Sequence, residues 1–411
     1  MTDTQRPRDP DYASAEFKAA PHEHWKILRQ HAPIHRVRLR NGSKAWLITR
    51  YEDAVAVLGD PRFAKDPLKA KSDGGARPPW LPGPLRALSR NMLDLDEPDH
   101  RRLRGLVQKA FTPRVVEELR PRIEVIAAEL LDAIAQRGTG TADLIAEYAG
   151  PLPVTVIAEL LGVEHADRRR FHRWSKHIVA ADTSTWHALR AIPAGITFIL
   201  FLRKLIRKRR AAPGEDLLSR LIEVQDAGDR LSADELLAMC FLLLIAGHET
   251  TVNLIGNGVL ALLEHSEQMQ RLREEPALLS SAVEEMLRYG SPLQFATERY
   301  AIADVEIEGV RIPRGSLVYV VLAAANRDEQ TFADPDRFDI TRTPNRHLAF
   351  GHGIHYCLGA PLARLEGQIA IRRLLDRFPS IELHRGATLL WRRGLVLSGV
   401  ERLPVTLSVG K

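Results

Sequence analysis

From Met239 to Ala246 every residue is apolar, which leaves no helical face for solvent and predicts burial on all sides. Upstream, Ser232 and Glu235 stand at the spacing of a capping box. Helix-forming residues continue to about Glu264, a helix of roughly 45–50 Å at 1.5 Å per residue. Near the N-terminus the period changes to two: "PIHRVRLR" and "KAWLITRY" alternate around Asn41-Gly42 and predict a hairpin. From Asp66 to about Pro84 the chain is rich in proline and glycine and reads as irregular. Helical patterning then dominates, with breaks at "GTGT" and "APGED". Strand character returns in "DVEIEGVRIPRGSLVYVVLAA". Leu358, Leu362, Leu365 and Ile369 recur at helical spacing, and the tail from Thr388 reads as short strands. The sum is a mainly α chain with small β-sheets towards its two ends, an α+β composition. No segment resembles a linker, so one large domain over residues 1–411 is expected.

Composition narrows the class. Hydrophobic residues at 45% and charged ones at 27% fit a soluble globular protein. No uninterrupted apolar run reaches the ~18–20 residues that span a bilayer, and the stretch Ala191 to Leu202 contains Pro193 and Gly195. The polar start "MTDTQRPRDPDYAS" lacks a signal-peptide core. A cytoplasmic protein without a membrane anchor is expected. Only two cysteines are present, too few for a disulfide framework and suited to a reducing compartment. The net charge of +6 is not gathered into a tail or an aromatic-interleaved stripe. Its densest run, "RKLIRKRR", mixes apolar and basic positions as a helix with one solvated face does. That pattern argues against nucleic acid and for an acidic protein partner.

Three segments carry chemistry. In "FGHGIHYCLG", Cys357 precedes a helix start, whose unpaired N–H groups favour thiolate over thiol. Gly351, Gly353 and Gly359 permit sharp turns and close approach to a flat partner, and Phe350 offers a ring beside the sulfur. A dinucleotide loop fails because Tyr356 stands where the last glycine belongs. A zinc site of His352, His355 and Cys357 lacks a fourth ligand, and a cysteine nucleophile awaits a base placed by the fold. The second segment, "LLLIAGHETTVN", sets Gly247, Glu249, Thr250 and Thr251 inside the apolar helix. "HETTV" is no zincin helix, since Val252 replaces the second histidine. An acid beside an alcohol in a buried helix points to proton delivery into a dry pocket; the plain alternative is close helix packing at Gly247. Third, Glu285 and Arg288 in "EEMLRYGSP" share a helical face and can pair.

Taken together, these segments resemble the bacterial cytochrome P-450 family of haem-thiolate monooxygenases. The family's cysteine-loop pattern is met by Phe350, Gly353, His355, Cys357 and Gly359, and its long-helix pattern by Ala246, Gly247, Glu249 and Thr250. Its Glu-x-x-Arg pair is met by Glu285 and Arg288, and "DEPDHRRLRGLVQKAFTP" looks like its haem-contacting helix. The order of motifs agrees over nearly the whole chain.

The resemblance implies the cytochrome P-450 fold, with haem b between the long central helix and the cysteine-loop helix. Cys357 would be the axial ligand, with Phe350 packed beside it and Gly351 in the cofactor-binding loop. His100, Arg104, Arg299 and His355 would hold the propionates, and Ala246 would lie against the cofactor. Thr250 and Glu249 would relay protons. Glu285 and Arg288, with Arg337 as third member, would be structural. An apolar substrate cavity would be lined by Leu243, Ala246, Leu293, Phe295, Ala296 and Val396, near the irregular 66–91 region. The 191–202 segment stands where the family has a mobile lid, though a core-facing helix fits the letters equally.

The implied reaction inserts one oxygen atom of O2 into a C–H or C=C bond of a hydrophobic metabolite: a polyketide or macrolide, terpenoid, steroid or fatty acid. No flavin or iron–sulfur module is present, so electrons would come from a ferredoxin-type donor and its NAD(P)H reductase. Arg101, Arg102, Lys109, Arg114, Arg364 and Arg372 mark the expected docking face. The alternatives are a peroxide-using or non-oxygenating haem-thiolate enzyme and a haem-binding sensor without turnover.

Overall fold

The computed structural model describes residues 9–70, 88, 91–179, 185–226 and 231–408. The chain folds into two compact units, each assembled from distant segments. The first comprises Met1–Pro78, Asn257–Cys357 and Thr388–Glu401.

Its five-stranded sheet begins with the expected hairpin. Ile34–Arg38 pairs antiparallel with Lys44–Ile48. At the turn, Gly42 takes a φ of +82° and the Asn41 carboxamide accepts from the Ser43 N–H at 3.0 Å. The positive φ is the reason for glycine there. Leu317–Val320 then lies parallel to Lys44–Ile48, followed by Arg299–Ala301 and the short Phe63–Ala64. The strand letters of 304–312 close as a separate hairpin, Val305–Ile307 with Val310–Ile312. One side of the large sheet packs on Trp25, Leu28, Tyr12 and Phe295, an aromatic core tied together by ring contacts.

The second unit comprises Pro79–Gly256, Leu358–Ala387 and Arg402–Lys411. It holds helices Asp99–Ala110, Arg120–Gln136, Pro151–Leu160, His165–Val179, Thr185–Ala211 and Ala360–Arg377. Its three-stranded sheet orders Thr141–Asp143, Pro404–Ser408 and Ser380–Leu383, so the predicted strands of the tail are partly realised. The rest of that tail, in the first unit, forms isolated bridges, Leu293 with Leu397 and Trp391 with Val400.

The long helix spans Ala233–Glu264 and runs from the second unit into the first. Its capping box is formed as the spacing requires: the Glu235 N–H donates to Ser232 Oγ at 3.1 Å, and the Ser232 N–H to Glu235 Oε2 at 2.7 Å. Among the described residues it is the one helix long and apolar enough to cross a membrane, and most of its apolar window is buried in the protein. Short apolar runs joined by Gly247 to Thr251 give it that length, although neither run alone is long enough. The predicted close approach at Gly247 is ordinary contact, with a Cβ there 3.5 Å from Ile157. The tight crossing is at Gly256, where a Cβ would stand 2.5 Å from Ile145.

Residues 191–202 are part of Thr185–Ala211, and Pro193 is carried inside that helix. Phe198, Ile199 and Leu202 recur at helical spacing, are buried, and Phe198 meets Phe171 at 5.5 Å. The core-facing reading of this segment therefore describes its packing. Of the irregular stretch predicted from Asp66, Pro67–Ala70 forms a single helical turn and 71–87 lie outside the described residues.

Candidate active site

Cys357 closes a tight loop of the first unit. The Cys357 N–H donates to Phe350 O at 2.9 Å, the Gly351 N–H to Leu348 O at 2.8 Å, and the Tyr356 N–H to Gly353 O at 3.0 Å. Gly353 adopts φ +72°, and a Cβ there would stand 2.7 Å from Leu58 O, so both conformation and space demand glycine. Phe350 is buried while Cys357 and Ile354 are exposed, an unusual setting for a residue type normally found inside. The helix begins at Ala360 with Gly359 at its cap, two residues later than expected. Cys240 is the opposite case: fully buried, its thiol is pushed up to about 12 chiefly by desolvation, and it serves as core filler.

The loop is held by an ionic network beneath it. Glu285 and Arg288 lie on Leu279–Gly290 and are 0% exposed. Arg288 grips Glu285 with two bonds of 2.7 Å and donates to the carbonyls of Asn326, Pro335 and Arg337. Glu285 also accepts from the Asp339 N–H, Asn345 and the Arg342 guanidinium. Arg337 was expected to be the third charged member. It supplies only its carbonyl, and the side chain on Glu285 is that of Arg342. The reason is geometric: Arg342 reaches Glu285 at 3.2 Å while itself donating to the carbonyls of Ala333, Asp334 and Arg337. The network reaches the cysteine loop through Asn326, whose side-chain oxygen accepts from the Leu348 N–H at 2.6 Å.

On the long helix, Leu244, His248 and Glu249 are buried, whereas Ala246 is exposed and Leu243, Gly247 and Thr250 are half-buried. Phe241, Leu242 and Ile245 are half-buried too; Leu243, Ala246, Gly247 and Thr250 share one face at helical spacing, apolar except for Thr250. The Thr250 hydroxyl donates to Ala246 O at 2.9 Å, which leaves its oxygen lone pairs to accept on the open side. His248, passed over as a failed zincin residue, is buried and hydrogen-bonded through both ring nitrogens.

The four predicted propionate ligands divide between the units. On Asp99–Ala110, His100 is buried and Arg104 half-buried. Arg299 is buried at the start of its strand, and His355 is half-buried at the end of the loop's single 3-10 turn. His352 lies beside Gly59. Among the described residues no three His, Cys, Asp or Glu gather into a metal-binding cluster. By type these donors fit a haem: a cysteine sulfur is a soft ligand, here in a glycine-turned loop with exposed apolar neighbours, and arginine and histidine are side chains that bind carboxylates.

Of the pocket residues in the first unit, Leu293 and Val396 are half-buried and Ala296 is nearly covered. Phe295 is a correction. It is 0% exposed and packs edge-on against Trp25, Tyr319 and Tyr12, so it belongs to the core and not to a lining. The apolar area of a phenylalanine gains more from such packing than from an open wall.

The basic residues expected to dock an electron donor carry partners. Arg101 pairs with Glu97 and Arg114 with Glu118, both one helical turn away, and Arg372 with Asp376. Arg102 pairs with Glu235. Exposed pairs of this kind are worth little and re-form readily with other carboxylates.

Sequence reasoning missed Ser175, His248, Asn326, Arg342 and Glu366. Glu366 could have been noticed as a charged residue between core positions Leu365 and Ile369; it is fully buried, and desolvation pushes its carboxyl up to about 8.

Known proteins resemble this chain along most of its length. The family model "Cytochrome P-450" matches residues 25–389. Cytochrome P-450 107B1 of Saccharopolyspora erythraea is 49% identical, covering 96% of this chain and 98% of that protein. The 6-deoxyerythronolide B hydroxylase of the same organism is 45% identical, covering 97% and 98%. The solved structure of the bacillaene polyketide synthase cytochrome P-450 PksS from Bacillus subtilis superposes with a TM-score of 0.90 at 42% identity, covering 98% and 100%.

Proposed function

This chain belongs to the cytochrome P-450 family of haem-thiolate monooxygenases, and from that premise we propose that it oxidises a macrolide-like polyketide, as one domain spanning residues 1–411. Haem b, held in this family by an axial cysteine thiolate, supplies the activation of O2 and the transfer of one oxygen atom to the substrate. The ligand is assigned to Cys357. His100, Arg104, Arg299 and His355 are assigned to the propionates, and Leu243, Ala246, Leu293, Ala296 and Val396 to the substrate. The chain's own part is to bind, orient, exclude water and move protons.

The observation that carries this reading is the partly accessible face of the long helix formed by Leu243, Ala246, Gly247 and Thr250, apolar except at Thr250. An apolar wall with one hydroxyl suits a large hydrophobic substrate beside a single proton-handling position. The names of two relatives support the substrate class: a 6-deoxyerythronolide B hydroxylase at 45% identity and a bacillaene polyketide synthase cytochrome at 42%. Titration of the haem-loaded protein with macrolides, terpenoids, steroids and fatty acids should give the largest spectral shift with the macrolides. A response confined to fatty acids would remove the polyketide assignment.

Thr250 and Glu249 are assigned to proton delivery at that face. A Thr250→Ala variant is expected to consume electrons at an undiminished rate while forming about a hundredfold less product per electron pair, the low end of a lost general acid. Thr250→Ser should retain most of the coupling. Full coupling in the alanine variant would exclude the relay.

The protein is proposed to work in the cytoplasm with an acidic ferredoxin docked near Arg101, Arg102, Lys109, Arg114, Arg364 and Arg372. Because the pairs of Arg101, Arg102, Arg114 and Arg372 involve exposed arginines, carboxylates of a partner can compete for them. The second-order reduction rate should fall steeply from low salt to about 0.5 M, where the Debye length is only a few ångströms. A flat salt profile would exclude charge-guided docking.

A further inference from the structure

The buried side of the long helix carries a proton-holding group that the relay assignment leaves out. His248 is buried, and its Nδ1 lies 2.7 Å from Leu244 O, one turn earlier on the helix. A carbonyl oxygen only accepts, so Nδ1 carries a hydrogen. The tautomer question is thereby closed at one nitrogen, and any second proton has a single place to go. That place, Nε2, lies 2.9 Å from Ser175 Oγ on His165–Val179 and 3.4 Å from Glu249 Oε1. Ser175 is 0% exposed and Glu249 8%.

This arrangement has a definite electrostatic consequence. If the ring is neutral and Glu249 ionised, the Nε2 lone pair accepts from the Ser175 hydroxyl and still stands 3.4 Å from a carboxylate oxygen in a buried site. Adding one proton removes the repulsion. On Nε2 it makes an imidazolium whose N–H lies between the serine oxygen and the carboxylate. On Oε1 it makes a carboxyl that faces the Nε2 lone pair. The two placements have the same total charge, so interconverting them brings no net charge into the buried helix.

We propose that His248 and Glu249 share one proton, that it rests on His248 Nε2, and that Ser175 orients the ring for its transfer to Glu249. In the transfer the Nε2–H bond breaks and an Oε1–H bond forms. The imidazolium becomes the neutral Nδ1–H imidazole, and the carboxylate becomes a neutral carboxyl. Glu249 thus becomes an acid without drawing charge from solvent into an apolar helix. His248 acts through Glu249 and is a positioning residue. The inference rests on the assignment of Glu249 as a relay, and its test separates the two.

The first readout needs no turnover. In the haem-loaded, carbon monoxide-bound ferrous protein labelled with ¹⁵N-histidine, His248 is assigned by the signals missing from His248→Gln. Both of its nitrogens should show protonated-type shifts in the wild type. In Glu249→Gln, which removes the carboxylate, Nε2 should move to the unprotonated type while Nδ1 stays protonated. An unprotonated Nδ1, or an Nε2 shift identical in the two proteins, would overturn the sharing. The second readout is coupling. His248→Gln can still donate an N–H to Glu249 but cannot give up a proton, and about a hundredfold less product per electron pair is expected. Wild-type coupling in a His248→Gln protein with an unchanged carbon monoxide spectrum would overturn the role. Wild-type coupling in Glu249→Gln would instead remove the relay assignment, and the nitrogen shifts would still decide whether the proton is shared.

Discussion

A Cys357→Ser variant is expected to fold and yet to lose both the thiolate-type spectrum of its ferrous carbon monoxide complex and essentially all monooxygenase activity. The loop is set by backbone bonds and glycine conformations that serine leaves in place: Cys357 N–H to Phe350 O, Gly351 N–H to Leu348 O, and the positive φ of Gly353. What changes is the donor. A thiol near a helix start is readily held as an anion, whereas an alcohol stays protonated and is a weak neutral ligand. The electron release that favours O–O cleavage is a property of the anionic sulfur, so activity should drop by at least about a thousandfold (~4 kcal/mol in barrier). Optical spectra and product assays on the same haem-loaded sample measure it. A variant that retained the thiolate-type band would show that Cys357 is not the ligand. Cys240, buried in the long helix, offers no substitute.

Arg288→Leu is expected to cost about 3–5 kcal/mol, because it leaves the Glu285 carboxylate buried without its main counter-charge. Against a total stability of about 5–15 kcal/mol, that is enough to deplete the folded, haem-loaded protein. The more discriminating variant is the double one, Glu285→Leu with Arg288→Leu. Replacing a buried ion pair by apolar residues is often neutral or stabilising. Here it should not be. Arg288 also satisfies the carbonyls of Asn326, Pro335 and Arg337, and Glu285 answers Arg342, Asn345 and the Asp339 N–H. The double variant would leave the carbonyls of Asn326 and Pro335, the Asn345 amide and the Asp339 N–H without these partners, while Arg342 and the Arg337 carbonyl keep each other, at about 1–3 kcal/mol for each buried group left unsatisfied. It should therefore remain clearly less stable than wild type by urea unfolding of the haem-loaded form. A double variant as stable as wild type would reduce the network to a simple pair.

Much of this protein follows from local rules, and those rules are visible in the residues themselves. Asn41-Gly42 between alternating strands can make only a few kinds of turn, and the hairpin forms there. Ser232 and Glu235 cap the helix that they precede. Gly353 is required by its own φ as well as by Leu58. The cysteine loop, the acid–alcohol pair and the Glu-x-x-Arg spacing each fall within ten consecutive residues, so the family and its chemistry were legible without coordinates.

What the sequence left undecided involves partners distant along the chain. Phe295 reads as a pocket residue beside Leu293 and Ala296 until Trp25 and Tyr319 close around it. Arg337 reads as the third member of the network, and only the path of 333–342 around Glu285 decides that it gives a carbonyl while Arg342 gives the guanidinium. His248 has no meaning in "HETTV" until Ser175, 73 residues earlier, arrives at its Nε2. Backbone conformation and spacing within a helix are fixed by neighbours a few bonds away, and sequence determines them directly. Which polar atom meets which across a buried interface depends on how separate segments pack, and that only the tertiary structure decides.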